Sequence, residues 1–433
     1  MRDQGERSTA AMLEALLAAR AVCPVFQPIV DLASGEVVGV EALARGPAGG
    51  PLERPDRLFE AAREAGRVAA LDELCRERAL EDAVFAGVTG PLTLFLNLEP
   101  RAAAELRVSA AMSTLLDRGV RVVVELTERD LTADPAQLLA FAERARALGL
   151  HIALDDVGAE PASLALMPFL RPEVVKLDLA LIHERPGRAT AETMSAVAAY
   201  AESSDAVVVA EGVENREHVA VARSLGAVLA QGWHYGYPQP PAQALATLQP
   251  PSRPLALASP TRSPCMDSAF ARVAQVRTPR RGRLPLLAEI SRLLERQAFE
   301  QHQHAVVLAT YEEAANFNEP VRERYETLAC SAAFVGVLGR GLVTNPGRGV
   351  RGAPLTPDDP LTREWDIAVV GPHFAAALVA HDITLAAGPA PIASADRDRP
   401  FDYVLTHDRA LVLDVARTLM ARMLPESPPP ASR

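Results

Sequence analysis

The feature that most limits the fold of this 433-residue chain is a series of eight short runs rich in valine, isoleucine and leucine in its first half. Alanine- and leucine-rich segments of helical length, such as PAQLLAFAERARALG, separate most of these runs. Strands that alternate with helices predict a parallel sheet with crossover connections. Eight strands in about 230 residues predict an α/β fold with a (β/α)8, TIM-like barrel. The eight runs are VFQPIVDL, VVGVEAL, LTLFLNL, RVVVELT, HIALDD, EVVKLD, AVVVAEGV and VLAQGW.

The start of the chain carries two further local signals. The first two runs are separated only by ASGE, which predicts a hairpin turn and therefore one antiparallel strand. Ahead of them, the apolar run of STAAMLEALLAARAVC is interrupted by Glu14 and Arg20, which favours an amphipathic helix in residues 1–22 over a secretory leader. The sequence has no stretch of about 18 uninterrupted apolar residues, so we predict neither a membrane span nor a membrane partner.

The second half of the chain begins with a change in composition. Prolines accumulate from Pro238 onward, and residues 246–283 are predicted to form a proline-rich, partly extended linker. Helical periodicity returns at Leu284 and is followed by further apolar runs, which predict a smaller α/β domain. The predicted organisation is a helix over 1–22, a barrel over 23–245, the linker, the second domain over 284–424 and a disordered tail over 425–433.

Within the second domain, the runs HAVVLAT, AAFVGVLG, DIAVVG and DYVLT are predicted strands, whereas VRERYETLA, FAAALVAHDI and ALVLDVARTLMARM are predicted helices. His373 and His381 are eight residues apart and would point about 80° apart on such a helix. We therefore interpret them as surface or core residues and not as a metal site. Trp365 and Asp366 either line a pocket or pack at the start of a strand, and we favour the packing role.

Polar side chains end all eight predicted barrel strands. The carboxyl ends of barrel strands meet at one mouth, where catalytic groups lie. A single carboxylate at such a position is ordinarily a loop residue or a helix cap, but eight strands that end in this way predict a shared site. The residues are Gln27, Glu41, Asn97, Glu125, Asp155 with Asp156, Lys176 with Asp178, Glu211 and Gln231.

Six carboxylates at one mouth would repel one another and raise their own pKa values unless a cation lay among them. Glutamate, aspartate and asparagine oxygens are the ligands that Mg²⁺ and Mn²⁺ prefer, and no histidine or cysteine cluster indicates Zn²⁺. Two such ions can activate water for the hydrolysis of a phosphodiester. Lys176 is interpreted either as a charge that orients the water or as a lysine that caps a strand end.

The charge and the cysteines limit partners and location. A formal net charge of -11 argues against binding a nucleic-acid polymer, because that requires a basic face. A local basic group can still hold one small phosphodiester. The four cysteines, Cys23, Cys75, Cys265 and Cys330, are far apart and form no CxxC pair, which predicts reduced thiols and a cytoplasmic location.

Eight ordered blocks between about Cys23 and Ala242 resemble the EAL domain, a family of cyclic di-GMP phosphodiesterases. The resemblance implies a barrel that hydrolyses cyclic di-GMP to linear pGpG with two Mg²⁺ or Mn²⁺ ions and that commonly acts as a homodimer. The blocks are FQPIVD, EALARG, LNLEP, ELTE, LDDVG, VKLD, AEGVE and QGWHYGYP.

The resemblance also implies roles for individual positions. Lys176 matches the catalytic lysine near the attacking water, Glu211 completes the acidic set, and Glu128 matches the glutamate that holds the loop after the fifth strand. Metal ligands are implied at Glu41, Asn97, Glu125, Asp155, Asp156 and Glu211. Substrate contacts are implied at Gln27, Leu43, Arg45, Asp178, Glu214 and Gln231, of which Arg45 suits a phosphate oxygen and Gln231 closes the site.

One block departs from the family pattern. Where the family usually reads DDFGTGYSSL, this chain reads DDVGAEPASL, with Val157, Glu160 and Pro161 as the main changes. The family's loop lies over the metals and links the site to the dimer interface, so the changes concern loop flexibility and regulation. Beside the phosphodiesterase, two alternatives stay open: a cyclic di-GMP receptor without turnover, and an interaction scaffold with an inert barrel.

The second domain resembles the DICT domain, a sensory module found with diguanylate cyclases, EAL domains and two-component proteins. The resemblance covers roughly Leu284 to Leu424 and implies an input function, with an unknown ligand or protein partner. The blocks that carry it are YEEAANFN, AAFVGVLGRGL, EWDIAVVGPHFAAALVAHD and FDYVLTHDRALV.

Overall fold

The computed structural model describes residues 2–99, 108–127, 134–159, 161–248, 251–258, 267–301, 304–384 and 399–423. The chain divides into two compact units. The first unit comprises residues 1–128, 141–159 and 171–260, and the second comprises residues 129–140, 160–170 and 261–433.

The first unit contains a closed eight-stranded barrel in the order β1 to β8, which confirms the predicted TIM-like fold. β1 is antiparallel to both of its neighbours, β2 and β8, and the remaining pairs are parallel. The strands are β1 (Val25–Asp31), β2 (Val37–Leu43), β3 (Thr93–Leu98), β4 (Arg121–Thr127), β5 (His151–Val157), β6 (Val174–Leu177), β7 (Val207–Ala210) and β8 (Leu229–Gln231).

The turn between β1 and β2 confirms the predicted hairpin. Asp31 Oδ1 accepts hydrogen bonds from the amides of Ala33 and Ser34, at 3.0 and 2.7 Å, and thereby fixes the reversal of the chain. Because β1 runs against its neighbours, its amino end lies beside the carboxyl ends of the other strands. We call that end of the barrel the mouth and the opposite end the floor.

Helices connect the barrel strands and cover them. Several begin at residues that suit a helix start: Pro55 is the first residue of its helix, and Ser109 and Asn215 cap the free amides of theirs. The helices are α1 (Arg2–Ala18), α2 (Pro55–Glu64), α3 (Val68–Phe85), α4 (Ala110–Asp117), α5 (Pro135–Ala147), α6 (Pro161–Leu170), α7 (Leu179–His183), α8 (Arg188–Ser204), α9 (Arg216–Ser224) and α10 (Pro241–Thr247).

The predicted amphipathic character of α1 is confirmed by its packing. Leu13 and Leu16 are buried and form one cluster with Leu58 of α2 and Leu71 of α3. Among the described helices, none combines the length and the apolar content that crossing a bilayer requires.

Part of the segment predicted as linker closes the floor of the barrel. Residues 251–258, which we call the floor strap, form neither helix nor strand. Leu255 and Leu257 pack against the apolar residues inside the barrel, Arg121 Nη1 donates to Leu255 O at 2.5 Å, and Ser252 Oγ donates to Glu36 at 2.8 Å. The strap therefore belongs to the core of the first unit.

The second unit is built on a seven-stranded mixed sheet in the order β12-β11-β10-β13-β14-β15-β9. β10, β11 and β12 are parallel, and the other neighbours are antiparallel. The strands are β9 (Arg280–Arg283), β10 (Val306–Glu313), β11 (Phe334–Arg340), β12 (Arg351–Pro354), β13 (Glu364–Val370), β14 (Ala375–Asp382) and β15 (Pro400–Thr406).

Helices lie on both faces of this sheet. One face packs against α12 and α13 through an apolar cluster that includes Leu294, Tyr325 and Ile367. The helices are α11 (Ala269–Ala274), α12 (Leu284–Glu300), α13 (Glu319–Ala329) and α14 (Arg409–Met420), with short 3₁₀ helices at Ala314–Asn316 and Pro360–Arg363.

The predicted helix FAAALVAHDI is wrong, because this segment forms strand β14. Its alanines favour a helix when taken alone, but β14 pairs with a strand on each side and is buried on both faces, and this tertiary environment outweighs local propensity. His381 therefore lies on a strand, and the helical angle between it and His373 does not apply. The other predicted strands and helices of the second unit are confirmed, whereas β9, β12 and α11 were not predicted.

Candidate active site

The strand alternation of the barrel explains why one layer of polar side chains lies above its apolar interior. Successive side chains of a strand point to opposite faces, so residues two positions apart share a face. An apolar layer inside the barrel contains Ile29, Phe95, Val123, Ala153, Val174, Val209 and Leu229. A polar layer lies two positions nearer the mouth along the same strands. It consists of Gln27, Asn97, Glu125, Asp155, Lys176, Glu211 and Gln231.

Lys176 is the centre of this polar layer. Its side chain is 0% exposed, and its Nζ lies 2.6 Å from Glu211 Oε1, 2.8 Å from Glu125 Oε1, 3.1 Å from Asp155 Oδ1 and 3.4 Å from Glu41 Oε2. A buried ammonium requires such partners, because an unpaired charge in the interior is strongly unfavourable. The structure therefore brings the predicted lysine and four predicted acids to one point.

Glu41 is held by side-chain amides from two other strands. Asn97 Nδ2 donates to Glu41 Oε1 at 2.9 Å, and Gln231 Nε2 donates to Glu41 Oε2 at 2.6 Å. Gln231 Nε2 also donates to Gln27 Oε1 at 3.1 Å, and Gln27 Nε2 donates to the Gly236 carbonyl at 3.1 Å. These bonds fix the Glu41 carboxylate in one orientation across the mouth.

The end of β5 departs from regular strand geometry. The register between β5 and β6 shifts between Leu154 and Val157, and Asp156 has a left-handed backbone with φ 55°. A bulge of this kind re-aims neighbouring side chains. It lets two consecutive aspartates, Asp155 and Asp156, serve the same site although strand alternation would separate them.

The loop that departs from the family pattern follows this bulge. Val157 is fully buried, and Gly158 has φ 111° with Leu181 Cδ1 only 2.7 Å from the place of a β carbon. Pro161 is the first residue of α6, where the missing amide of proline costs no hydrogen bond. Glu160 lies outside the described residues.

The donor set fits divalent cations with oxygen ligands. Asp155, Asp156 and Glu211 each offer a carboxylate oxygen, and the three oxygens lie within 4.8 Å of one another. Both Glu125 oxygens are buried; Oε1 lies 2.8 Å from the Lys176 ammonium, whereas Oε2 accepts no hydrogen bond from the described part of the chain. A buried carboxylate oxygen without a donor is suited to Mg²⁺ or Mn²⁺.

Burial and mutual repulsion raise the pKa of three acids in the site. Burial raises the pKa of Glu125 well above its usual value, with the Glu41 charge adding to it; burial raises that of Asp155 to about 6 and that of Glu211 to about 8. Burial also raises the pKa of Glu41, but the Lys176 charge and the amide bonds outweigh it, so the pKa is lowered.

The pKa of Lys176 moves in the opposite direction from that of most buried lysines. Burial lowers the pKa, but the charges of Asp155, Glu125, Glu211 and Glu41 outweigh burial and raise it well above the ordinary value. Lys176 is also the only lysine among 433 residues. Every other basic side chain that could pair with an acid is arginine or histidine. A single lysine in the whole composition is itself a sequence signal for the importance of Lys176.

The remaining predicted site residues lie around the same mouth or outside the described chain. Leu43 is the last residue of β2, and Arg45, two residues later, donates from Nη1 to the Ala44 carbonyl at 2.8 Å. Asp178 caps α7 by accepting from the Ala180 amide at 2.7 Å, and Glu214 is exposed. Glu128 falls outside the described residues.

Sequence reasoning missed Asp72 of α3. Asp72 is buried, forms an ion pair with Arg76, and accepts a hydrogen bond at 3.0 Å from the Glu99 amide. Glu99 follows Leu98 at the end of β3, so this bond holds the chain just beyond Asn97. The available signal was an aspartate and an arginine four residues apart in an otherwise apolar helix face.

A polar layer of this kind at the mouth of a barrel with one reversed strand places the chain in a defined class. Residues 10–238 match the model of the EAL domain, more than half of the chain, and the chain belongs to the EAL-domain family. Residues 272–382 match the model of the DICT domain, described as a sensory domain in diguanylate cyclases and two-component systems.

Curated relatives share the first half of the chain. The cyclic di-GMP phosphodiesterase NbdA of Pseudomonas aeruginosa is 31% identical over 224 residues, which are 50% of this chain and 28% of NbdA. The probable cyclic di-GMP phosphodiesterase PdeB of Escherichia coli is 28% identical over 222 residues, which are 50% of this chain and 42% of PdeB. The chain thus spans less than half the length of either relative.

A solved structure shares the fold. The EAL enzyme Bd1971, in a form bound to cAMP and cyclic di-GMP, superposes with a TM-score of 0.50 at 20% sequence identity, over 57% of this chain and 70% of that chain. At this identity the likeness supports the barrel fold alone.

Proposed function

We propose that the protein hydrolyses cyclic di-GMP to linear pGpG in a reaction that depends on Mg²⁺ or Mn²⁺. The observation that carries the proposal is the contact of the Lys176 ammonium with four carboxylates at the mouth of an EAL barrel. The names of two relatives, the cyclic di-GMP phosphodiesterase NbdA and the probable cyclic di-GMP phosphodiesterase PdeB, support the choice of substrate.

Six side chains would hold the two metal ions, and their oxygens fit this role. When bound, the ions supply an activated water and polarise a phosphoryl oxygen. The ligands would be Glu41, Asn97, Glu125, Asp155, Asp156 and Glu211.

The other residues of the site neutralise the acids, hold Glu41 in place or would contact the substrate. Lys176 keeps a permanent positive charge beside the acids and would stabilise the negative charge that develops on the phosphodiester during attack. Gln231 donates to Glu41 through its side-chain amide, and Gln27 accepts a hydrogen bond from the same Gln231 amide. Arg45, half-buried beside the Glu41 charge, would bind a phosphate oxygen, and Gln27 and Leu43 would contact the dinucleotide.

We further propose that Asp178, Glu214 and Gln231 complete the substrate contacts, that Glu128 holds the loop after β5, and that the barrel acts as a homodimer. The DICT unit would adjust the rate of hydrolysis in response to its own ligand. The family membership of both parts supports this division between output and input.

The test is turnover by the full chain. Purified protein is expected to convert cyclic di-GMP to pGpG with Mg²⁺ or Mn²⁺, and Glu41→Gln is expected to lower kcat at least about 100-fold, since it removes one ligand charge at nearly constant volume. Glu64→Gln, on the exposed side of α2, is the control and should leave the rate unchanged.

The same experiment separates the alternatives. Binding of cyclic di-GMP by the wild type without any product under either metal would refute the enzyme and favour a receptor. The absence of measurable binding would favour an interaction scaffold.

A further inference from the structure

The second unit buries two acids next to each other on one strand. Glu364 and Asp366 are two residues apart on β13, so their side chains lie on the same face of the sheet. Their exposed fractions are 4% and 0%, and each carboxyl group influences the pKa of the other. A pair of buried carboxylates without a counter-charge would be strongly unfavourable.

The two acids have different hydrogen-bond partners. Glu364 accepts from Ser268 Oγ at one oxygen and from the Phe270 amide, at 3.0 Å, at the other. Neither Asp366 oxygen accepts a hydrogen bond from the described residues. Two donors stabilise the ionised form of Glu364. For Asp366, burial and the Glu364 charge outweigh the Ala380 amide and the Arg422 charge, which favour its ionised form.

The cations near the pair offset its charge only in part: His381 lowers the pKa of Glu364 and Arg422 lowers that of Asp366, but burial outweighs both. His381 of β14 stands directly opposite Glu364 and stacks on Phe270, with ring centroids 5.5 Å apart. The other charged groups that face the pair form two ion pairs of their own, Arg272 of α11 with Asp414 of α14 at 2.7 Å and Arg422 with Asp359 at 2.7 Å. β10 contributes Thr310, whose hydroxyl accepts from the Asp366 amide at 2.7 Å and donates to the Glu364 carbonyl.

We propose that Glu364 and Asp366 form a binding site for one proton and that this proton holds α11 on the sheet of the second unit. The proton lies on Asp366, which donates it to the Glu364 carboxylate. Glu364 in turn accepts hydrogen bonds from the Ser268 hydroxyl and the Phe270 amide at the start of α11. Asp366, Glu364 and the start of α11 therefore form one chain of hydrogen bonds from the strand to the helix. Burial, with the Glu364 charge adding to it, raises the pKa of Asp366 well above its usual value, and burial raises that of Glu364 as well.

Loss of the proton creates two adjacent buried charges. Because Asp366 is fully enclosed, the repulsion is relieved when Glu364 moves outward and takes its bonds to Ser268 and Phe270 with it. The ligand of this site is therefore the hydrogen ion, and the response is a looser attachment of α11 as pH rises. This inference does not depend on the activity of the barrel.

The first test detects the proton. Infrared spectra of the full chain with saturating Mg²⁺ should contain, at pH 7, a carboxylic acid C=O band that disappears in Asp366→Asn. The control Asp402→Asn removes an acid of the same sheet that pairs with Arg281, and it should keep the band. Identical spectra for the wild type and Asp366→Asn would overturn the proposal.

The second test measures the attachment of α11. After correction for intrinsic exchange, the Phe270 amide of the wild type should exchange at least about tenfold faster at pH 9 than at pH 6, whereas Asp366→Asn, which keeps a neutral side chain at both pH values, should show no such change. Glu364→Gln removes the neighbouring charge, so the pH at which the acid band of Asp366 disappears should fall. This variant provides a readout if Asp366→Asn folds poorly. Equal pH dependence in the wild type and Asp366→Asn would contradict the role of the proton.

Discussion

Lys176 Nζ lies 2.6 Å from Glu211 Oε1, the shortest of its four contacts with carboxylates at the mouth of the barrel. The ammonium is fully buried, and every acid it contacts is also a proposed metal ligand. One side chain therefore both neutralises the acids and stands where the phosphodiester would react, and its removal should affect stability and turnover in different ways.

We predict that Lys176→Met lowers kcat by at least about 100-fold, because a preorganised charge at the reacting phosphate is lost. The metal-free variant should also be about 3–5 kcal/mol less stable at pH 8, since the acids lose their counter-ion. At pH 6 the loss should be smaller, because the acids can then take up protons instead. Urea unfolding at the two pH values, followed by steady-state kinetics, measures both effects.

Lys176→Arg is the informative control for this variant. It keeps the charge but places a larger, planar group in a fully buried position, so turnover should fall nearly as far as in Lys176→Met. Wild-type activity in Lys176→Arg would contradict a role that depends on the compact ammonium.

Metal binding should release protons and strengthen with pH. Burial raises the pKa of Asp155 to about 6 and that of Glu211 to about 8, so below pH 8 these acids are protonated to an increasing extent. Because the ions require carboxylates, affinity for Mg²⁺ should rise from pH 6 to pH 8, by up to about tenfold per unit. Calorimetry at pH 7 in two buffers of different ionisation enthalpy should reveal the released protons, and equal heats in both buffers would count against this.

The same pKa shifts determine whether the stability of the metal-free protein rises or falls with pH. Acids with a raised folded-state pKa bind protons more tightly in the folded protein, so their stabilising effect is complete below about pH 4 and is lost as pH rises through 6 to 8. Selective ¹³Cε labelling of lysine gives a single resonance, because Lys176 is the only lysine. The chemical shift of this resonance should change with pH as Asp155 and Glu211 titrate. With Mg²⁺ bound, it should no longer change over the same pH range.

The sequence was sufficient for those parts of the molecule that follow from local periodicity. All eight barrel strands were predicted because each is an apolar run between turn signals, and the polar residues of the mouth were predicted because they end those runs, whereas the positions of Leu43, Arg45, Glu128 and Glu214 were implied only by the family resemblance. The positions of Gln27, Glu41 and Gln231 in one amide network could not be predicted, since it depends on the closure of the barrel between β1 and β8.

In the second unit, tertiary contacts outweighed the local preferences of the sequence for helix or strand. Strand β14 is rich in alanine and was predicted as a helix, although two neighbouring strands hold it extended. Strand β9 reads RRGR and is mostly exposed at the edge of the sheet, so it carries no apolar pattern at all. Asp366 was interpreted as a packing residue at a strand start and Glu364 was not singled out, because the burial of this pair of acids is set by α11, a helix too short to predict.

Gly158 should tolerate no side chain. Its φ of 111° disfavours any other residue, and a β carbon would lie 2.7 Å from Leu181 Cδ1. Gly158→Ala should therefore destabilise the first unit by about 1–3 kcal/mol and lower turnover, since the strain falls two residues from Asp156. Glu202→Ala, at an exposed position of α8, should change stability by less than about 0.5 kcal/mol. Equal effects of the two substitutions, measured by urea unfolding, would show that the loop after β5 relaxes freely.

The floor strap should contribute to stability without contributing to chemistry. Leu255 and Leu257 are half-buried against the apolar interior, at the end of the barrel opposite the acids. Leu257→Ala should cost about 1–2 kcal/mol through lost burial and leave kcat and KM unchanged, because residues at this end of such barrels serve stability. Since a chain of two units need not unfold in one step, the measurement is the urea concentration that abolishes turnover, which reports on the barrel alone. Leu286→Ala, at a leucine of α12 that is 48% exposed, is the control and should not shift that concentration. A change in KM with Leu257→Ala would instead connect the strap to the substrate site.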